Sequence, residues 1–478
     1  MHLKIKLFII FVLTTIIISP AQAIEDSHDA DIAAQKKKIF TIDECVDYAL
    51  KNDPNIKVAK NMVKVYKSRV GQAKSDYFPT LGGGTGYNFL TEKASGSSSR
   101  NSNYYDLDLS VNQLIWNFGK TTANINMQKY NHQSAQYDLD FEILKTTYKV
   151  KTAYYSVLAA KAFNDVSNKT VRINKLNYER TKALFEEGLK SKIDVVNSEV
   201  YYTDAQIQLL ETQNAYESAL IELANAMYYT DKLDFTVEST ENFNFKPADY
   251  TPHEINVNYT AKAAQDSDSE LILTSGIEKH NMLQDFKFSP YQIEINDALE
   301  EAYKNRPDLK SLELVLKASN ESLKSIKRSY YPEIGASAGY GYRRMENTNT
   351  NSFRVSAGLD FPIVNIMDIK YRIDEGKSYY EIAEENVDLS KKNIYFEVQN
   401  FYINMKQLEK RIPLMAKKVD QTLENFELAD GRYTVGLGNF IELQDAQTNY
   451  NNAQLEFIQS IFKYNVAREQ FLKSMGVK

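Results

Sequence analysis

Four segments of the chain alternate apolar and polar residues with a period of two, which predicts strands with two unlike faces. In the first, Leu81, Gly83, Thr85, Tyr87 and Phe89 share one face and Gly82, Gly84, Gly86 and Asn88 the other. In the second, Tyr105, Leu107, Leu109 and Val111 oppose Asp106, Asp108, Ser110 and Asn112. In the third, Ile334, Ala336, Ala338, Tyr340 and Tyr342 oppose Gly335, Ser337, Gly339 and Gly341. In the fourth, Phe353, Val355, Ala357, Leu359 and Phe361 oppose Arg354, Ser356, Gly358 and Asp360. A soluble sandwich strand also keeps its apolar residues to one side. Here the opposing face is mostly glycine and small polar residues, and aromatics gather near the loop ends. A transmembrane barrel has that arrangement: an apolar band toward lipid, a polar lumen and an aromatic girdle. On this reading Tyr87, Phe89, Leu107, Leu109, Tyr340, Tyr342, Val355 and Leu359 face lipid. Four strands do not close a barrel, since known ones start at about eight. An open sheet in lipid would leave backbone groups unpaired, at several kcal/mol each. Several chains must therefore pool their strands, and two, three or four copies all satisfy that demand.

Elsewhere the spacing turns helical. Leu144, Tyr148, Tyr155, Leu158 and Ala162 fall on one face of a helix, as do Val419, Leu423, Phe426 and Tyr433, and Leu455, Ile458, Phe462 and Val466. Such steps of three, four and seven suit packed, coiled-coil-like helices. Asn117 to Phe185 contains no proline, and its one glycine, Gly119, stands at the start. A single helix of that length would reach roughly 100 Å at 1.5 Å per residue, which suits a rod or tube rather than a globular domain. Lys370 to Arg411 is the matching stretch, and Pro413 beyond it predicts a kink or break. Gly188-Leu189 and Gly436-Leu437 end the two long stretches, where glycine caps a helix by taking the left-handed conformation.

The chain carries one plan twice. Ala49 to Pro54 resembles Ala302 to Pro307, Tyr77-Phe78-Pro79 resembles Tyr330-Tyr331-Pro332, and Gly86-Tyr87 resembles Gly339-Tyr340, all offset by 253. Farther on, Ile115 to Asn117 matches Ile363 to Asn365, Gly188-Leu189 matches Gly436-Leu437, and Ala205-Gln206 matches Ala453-Gln454, all offset by 248. The register shifts within the Ser/Asn-rich stretch from Glu92 to Asn103, where a surface loop tolerates a length change. The expected division is 24–230 for the first repeat and 291–478 for the second. Each repeat reads as helix, two strands, very long helix, turn, helix. The polar segment 231–290 reads as a connector with little core of its own.

Residues 1–23 read as a secretory signal peptide: Lys4 and Lys6, an apolar run from Leu7 to Ile18, then Ala21-Gln22-Ala23. The apolar run is shorter than the ~20 residues of a spanning helix, the alternative reading. No later segment is apolar enough for a transmembrane helix. Charged residues make up 25% of the 478 and both signs are mixed, with a net charge of −6, so no concentrated basic face invites nucleic acid. The one cysteine, Cys45, has no internal partner. Five histidines, no metal-spaced Cys/His cluster and no nucleophile elbow argue against an enzyme, and no cofactor is expected. A periplasmic coiled-coil adaptor or structural rod would explain the helices but not four barrel-type strands.

Taken together, the duplicated Pro54/Pro307 and Pro79/Pro332 signatures, the Tyr433-Thr434-Val435-Gly436 tip and Asp445-Ala446-Gln447 resemble the TolC family of outer-membrane efflux proteins. The resemblance covers nearly the whole chain after the leader. It implies a mixed α+β membrane protein in the outer membrane of a Gram-negative bacterium. Three protomers would form a twelve-stranded barrel and a long helical tunnel in the periplasm. It further implies a periplasmic adaptor (membrane fusion) protein docked at the tips, Gly188, Leu189, Gly436 and Leu437, an inner-membrane transporter behind it, and passive conduction of cargo for efflux or type I secretion. Glu442 and Asp445 match the family's acidic pore constriction, and Asp194 and Tyr433 match polar partners that latch the closed tip. A basic residue often found two positions after the second tip glycine is replaced by Gly438.

Overall fold

The computed structural model describes residues 38–92, 100–231, 234–239, 288, 290–345, 348–361 and 366–477. Residues 1–23, expected to be a signal peptide, and most of the expected connector lie outside the described residues. The first half runs β1 (Lys38–Phe40), α1 (Ile42–Asn52), α2 (Pro54–Ser75), β2 (Thr80–Glu92), β3 (Arg100–Trp116), α3 (Lys120–Glu186) and α4 (Lys192–Met227). The second runs β4 (Phe235–Val237), α5 (Ile295–Asn305), α6 (Pro307–Lys327), β5 (Glu333–Met345), β6 (Thr348–Asp360), α7 (Ile366–Thr434) and α8 (Phe440–Ser474).

The single helix expected ahead of each strand pair is two helices. Proline accounts for the division: Pro54 and Pro307 stand at helix starts, where a missing N–H is no loss. The residues before them, Asp53 and Arg306, are held extended with ψ of 119° and 118°, as proline requires of its predecessor. Each turn is then tied to a long helix. Thr146 of α3 donates to the Asp53 carboxylate at 2.6 Å, and Arg306 pairs with Glu397 of α7.

α3 spans 67 residues and α7 spans 69, so each is roughly 100 Å long. α7 does not break at Pro413. Its buried positions run on through that point with two spacings. Ala383, Ile394, Met405 and Ala416 recur every eleven residues, whereas Ala416, Leu423 and Asp430, and Val419, Phe426 and Tyr433, recur every seven. Eleven residues in three turns keep a packing face straight or slightly right-handed, while seven in two turns wind it left-handed. Val398, Met405, Ile412, Val419, Phe426 and Tyr433 recur every seven residues straight past Pro413. Ile412 and Ala416 on either side are buried, so side-chain packing supports the helix where proline removes a backbone bond. α3 shows both spacings too: Leu144, Tyr155, Val166 and Asn177 recur by eleven, and Ala160, Ser167, Asn174 and Thr181 by seven.

The described part of the expected connector packs against the first repeat's start. β4 pairs with β1, and Phe235 and Val237 are buried. Phe40, Tyr229 and Phe235 meet edge to face, and the Tyr154 hydroxyl of α3 points at the carbonyls of Phe40 (3.1 Å) and Glu238 (2.6 Å). A three-residue strand is too short to show a period, so the sequence pattern conceals it. Cys45 is buried beside this cluster, and burial pushes its thiol up to about 12.

The other sheet is antiparallel in the order β2-β3-β5-β6. Its register places Leu81, Val111, Ala338 and Val355 on one rung, Leu109, Tyr340 and Phe353 on another, and Leu107 beside Tyr342. Tyr87 pairs with Tyr105, Phe89 with Asn103, and Leu359 with Ile334. All eight residues expected on the apolar face therefore lie on one face of one sheet. That face is bare in the single chain: Leu81 is 81% exposed and Phe353 75%. On the opposite face Gly84, Asp108, Gly341 and Ser352 share a rung. Within the described chain β2 and β6 each keep one unpaired edge. No described helix is long and apolar enough to cross a membrane.

Candidate functional site: the hairpin tips and their polar seam

Both hairpins turn on the same backbone device. Gly188 and Gly436 take φ of 77° and 80°, a region that penalises a side chain. Around the first, Gly188 N donates to Phe185 O at 2.9 Å and Leu189 N to Leu184 O at 2.8 Å. Around the second, Gly436 N donates to Tyr433 O at 3.2 Å and Leu437 N to Arg432 O at 2.9 Å. These paired bonds form the Schellman cap, which satisfies the last carbonyls of a helix. Leu189 and Leu437 project from the turns, 71% and 77% exposed. Gly438 has its own reason. A Cβ there would lie 3.0 Å from Tyr433 N and 3.1 Å from Arg432 Cβ, so a side chain at this position would require the turn to shift by a few tenths of an ångström.

The return helices are capped locally. Ser191 and Asp194 form a capping box at the start of α4, with Ser191 Oγ donating to Asp194 Oδ2 at 2.7 Å. Asp194 is thus bonded within its own helix, and its charge also acts on the nearby Tyr433 hydroxyl. Helix capping is a local demand that this carboxylate meets. Tyr433 has a hydrogen-bond partner on α3. Its hydroxyl lies 3.0 Å from that of Thr181 on α3, its ring carries Arg180 at 5.0 Å and Lys190 at 4.3 Å, and burial raises its pKa.

Beside it lies an ion pair that the sequence reading missed. Arg180 of α3 donates to Asp430 Oδ1 at 2.8 Å and to Thr434 Oγ1 at 3.2 Å. The two side chains are 10% and 1% exposed, and Arg180 Nε has no hydrogen-bond partner. A further polar step follows: Gln447 Nε2 of α8 donates to Asn174 Oδ1 at 2.7 Å, and Asn177 Nδ2 donates to Gln447 Oε1 at 3.2 Å. Near the tips the first hairpin therefore meets the second through a buried polar seam, whereas farther up α3 buries Leu144, Val150, Val157 and Leu158.

Glu442 and Asp445 are both exposed, one turn apart on α8. Asn439 caps that helix by accepting from Glu442 N at 2.7 Å. Glu442 also pairs with Arg432 of α7 at 3.2 Å, with side chains 58% and 42% exposed. Exposed pairs of this kind contribute little stability, but the guanidinium brings positive charge to a site expected to be purely acidic. Among the described residues Asp445 has no hydrogen bond or ion pair.

The outer membrane efflux protein model matches residues 45–227 and 298–477, more than half of the chain. The chain belongs to the outer membrane efflux protein family. The matched blocks fall one in each of the two repeats. Among relatives, the probable efflux pump outer membrane protein TtgC of Pseudomonas putida is 18% identical over 95% of this chain and 88% of its own length. The alkaline protease secretion protein AprF of Pseudomonas aeruginosa is 24% identical over 39% of this chain and 38% of its own. The outer-membrane channel OprN superposes with a TM-score of 0.72 at 14% identity, covering 96% of this chain and 99% of that one. As a family member, the chain is an outer-membrane channel for efflux or type I secretion. Its strands supply the membrane part and its long helices a tunnel that extends into the periplasm.

Proposed function

We propose that three copies form one duct, with β6 of each pairing with β2 of the next to close a twelve-stranded barrel. The observation that carries this reading is a sheet with one apolar face and two unpaired edges, which lipid does not tolerate open. The helices support it. Ile382, Leu389, Phe396 and Ile403 of α7 recur every seven residues on an exposed face, as do Ile193, Val200 and Ile207 of α4, and heptad stripes of this kind seek a partner helix. Tyr87, Phe89, Leu107, Leu109, Tyr340, Tyr342, Val355 and Leu359 then face lipid. The mature protein is expected to sediment in detergent as a trimer. A monomer only, at all concentrations, would overturn the shared barrel.

Cargo passes without chemistry. A periplasmic adaptor meets the tips at Gly188, Leu189, Gly436 and Leu437, handing over cargo from an inner-membrane transporter. Exposed leucines on tightly capped turns support that assignment. Replacing Gly436 with Pro is expected to abolish export while trimers persist, because proline is held near φ −65° and this position needs 80°. The check is cargo efflux in cells alongside trimer recovery from outer membranes. Export that survives disruption of both tips would place docking elsewhere.

Closure is assigned to the polar seam, with Arg180–Asp430 and Thr181–Tyr433 holding the second hairpin against the first. Glu442 and Asp445 stand at the pore axis just inside, with Arg432 beside them.

A further inference from the structure

The outward face of the sheet is apolar or uncharged along its whole described length, with one exception. From Leu81 to Thr91 on β2, Asn103 to Gln113 on β3, Ile334 to Tyr342 on β5 and Asn349 to Leu359 on β6, alternate residues in register on this face carry no charge. Arg344 alone does, and it is exposed. It makes no hydrogen bond or ion pair among the described residues, unlike Arg343 next to it, which points to the opposite face and stacks on Tyr104 at 4.5 Å.

Position decides what such a charge meets. Ile334 and Arg344 are ten residues apart on β5, on the same face. At about 3.4 Å per residue and a tilt of 35–45°, that separation spans about 25 Å of height, the full apolar band of a membrane barrel. Arg344 is at the end of the strand away from the helices, so it reaches the outer rim of the band. A charge at mid-membrane costs about 2–4 kcal/mol, but at the rim about 0–1. Its ladder neighbours suit a polar ligand at an apolar boundary. Tyr105 and Asn349 flank it in register, with Tyr87 beyond Tyr105 and the two tyrosine rings 4.9 Å apart. A guanidinium offers a planar fork of donors that matches phosphate oxygens.

We infer that Arg344, with Tyr105 and Asn349, binds the phosphate of a lipid headgroup, one site on each protomer's outer rim. The inference rests on the lipid-facing reading of this sheet face. The test is native mass measurement of the detergent-solubilised trimer incubated with a phosphorylated glucosamine-disaccharide lipid or with the same lipid dephosphorylated. Wild type is expected to retain up to one phosphorylated lipid per protomer and to retain the dephosphorylated form less. Arg344→Gln should lower retention of the phosphorylated lipid roughly fivefold, the worth of one cation at a charged membrane surface. Arg344→Lys should lose less, and Arg343→Gln, which removes the same charge from the opposite face, should lose nothing. The inference is overturned by equal retention of both lipids in wild type, by equal loss in Arg343→Gln, or by displacement with millimolar inorganic phosphate. A wild-type protein that stays soluble without detergent and retains no lipid of any kind would instead sink the lipid-facing reading itself.

Discussion

Replacing Asp430 with Ala is expected to release the last turns of the second hairpin from the first and to raise the conductance of the assembled channel. Asp430 is 1% exposed and its partner Arg180 10%. Removing one member of a buried pair strands the other charge, which costs about 3–5 kcal/mol. The local structure can escape that penalty only by letting Arg180 reach water. Because the seam lies at the tip, far along helices roughly 100 Å long, the strain should be relieved by parting the hairpins there, with the sheet and its assembly untouched. Two companion variants sharpen the expectation. Asp430→Asn keeps an oxygen for Arg180 and should open the tip less. The double variant Arg180→Ala/Asp430→Ala removes both charges and should also be milder than Asp430→Ala alone, because no buried ion is left unpaired. Thr181→Val, which removes only the hydroxyl facing Tyr433, should have the smallest effect, near the ~1 kcal/mol of a neutral hydrogen bond. Single-channel conductance in planar bilayers orders the series. If Asp430→Ala conducts like wild type, the seam does not hold the tip shut. If the double variant is the most open, the stranded-charge argument is wrong even though the seam matters.

Why that pair escaped the sequence reading is instructive. The apolar stripe Val419, Leu423, Phe426, Tyr433 steps by four, three and seven, and the slot passed over is position 430. A carboxylate in an apolar phase was itself the signal, but nothing in one chain says which of many arginines answers it from 250 residues away. The capping box of Ser191 and Asp194, by contrast, is a local pattern of residues three apart and so is legible in the sequence. Pro413 does not break its helix because the buried residues beside it, Ile412 and Ala416, keep their packing across it. The sheet faces were legible throughout. Period two leaves little phase ambiguity within a strand, and the register adds the four strands into one face up to the irregularity between Leu114 and Trp116.

The ion pair between Arg432 and Glu442 changes what the pore constriction should do. The family resemblance gives each protomer two carboxylates there, Glu442 and Asp445, and a ring of six in a trimer. The 3.2 Å contact with Arg432 adds one guanidinium per protomer, leaving a net of one negative charge each. Wild type should therefore prefer cations modestly. Glu442→Ala and Asp445→Ala should each bring the ring to neutrality and abolish the preference. The double variant should go further: with three guanidiniums and no carboxylates, the constriction should pass anions more readily than cations. Arg432→Gln should do the opposite and strengthen both cation preference and block by divalent cations, since it unmasks the second carboxylate. All these side chains are exposed, so the effects should fade as salt rises and the screening length falls from ~10 Å at 0.1 M to ~3 Å at 1 M. The reversal potential across a salt gradient in planar bilayers reads the preference directly. A double variant that merely loses cation selectivity without reversing it would mean that Arg432 turns away from the axis in the assembled pore. Identical reversal potentials in wild type and all four variants would return Glu442 and Asp445 to an ordinary charged helix face, and the constriction would have to be sought on other residues.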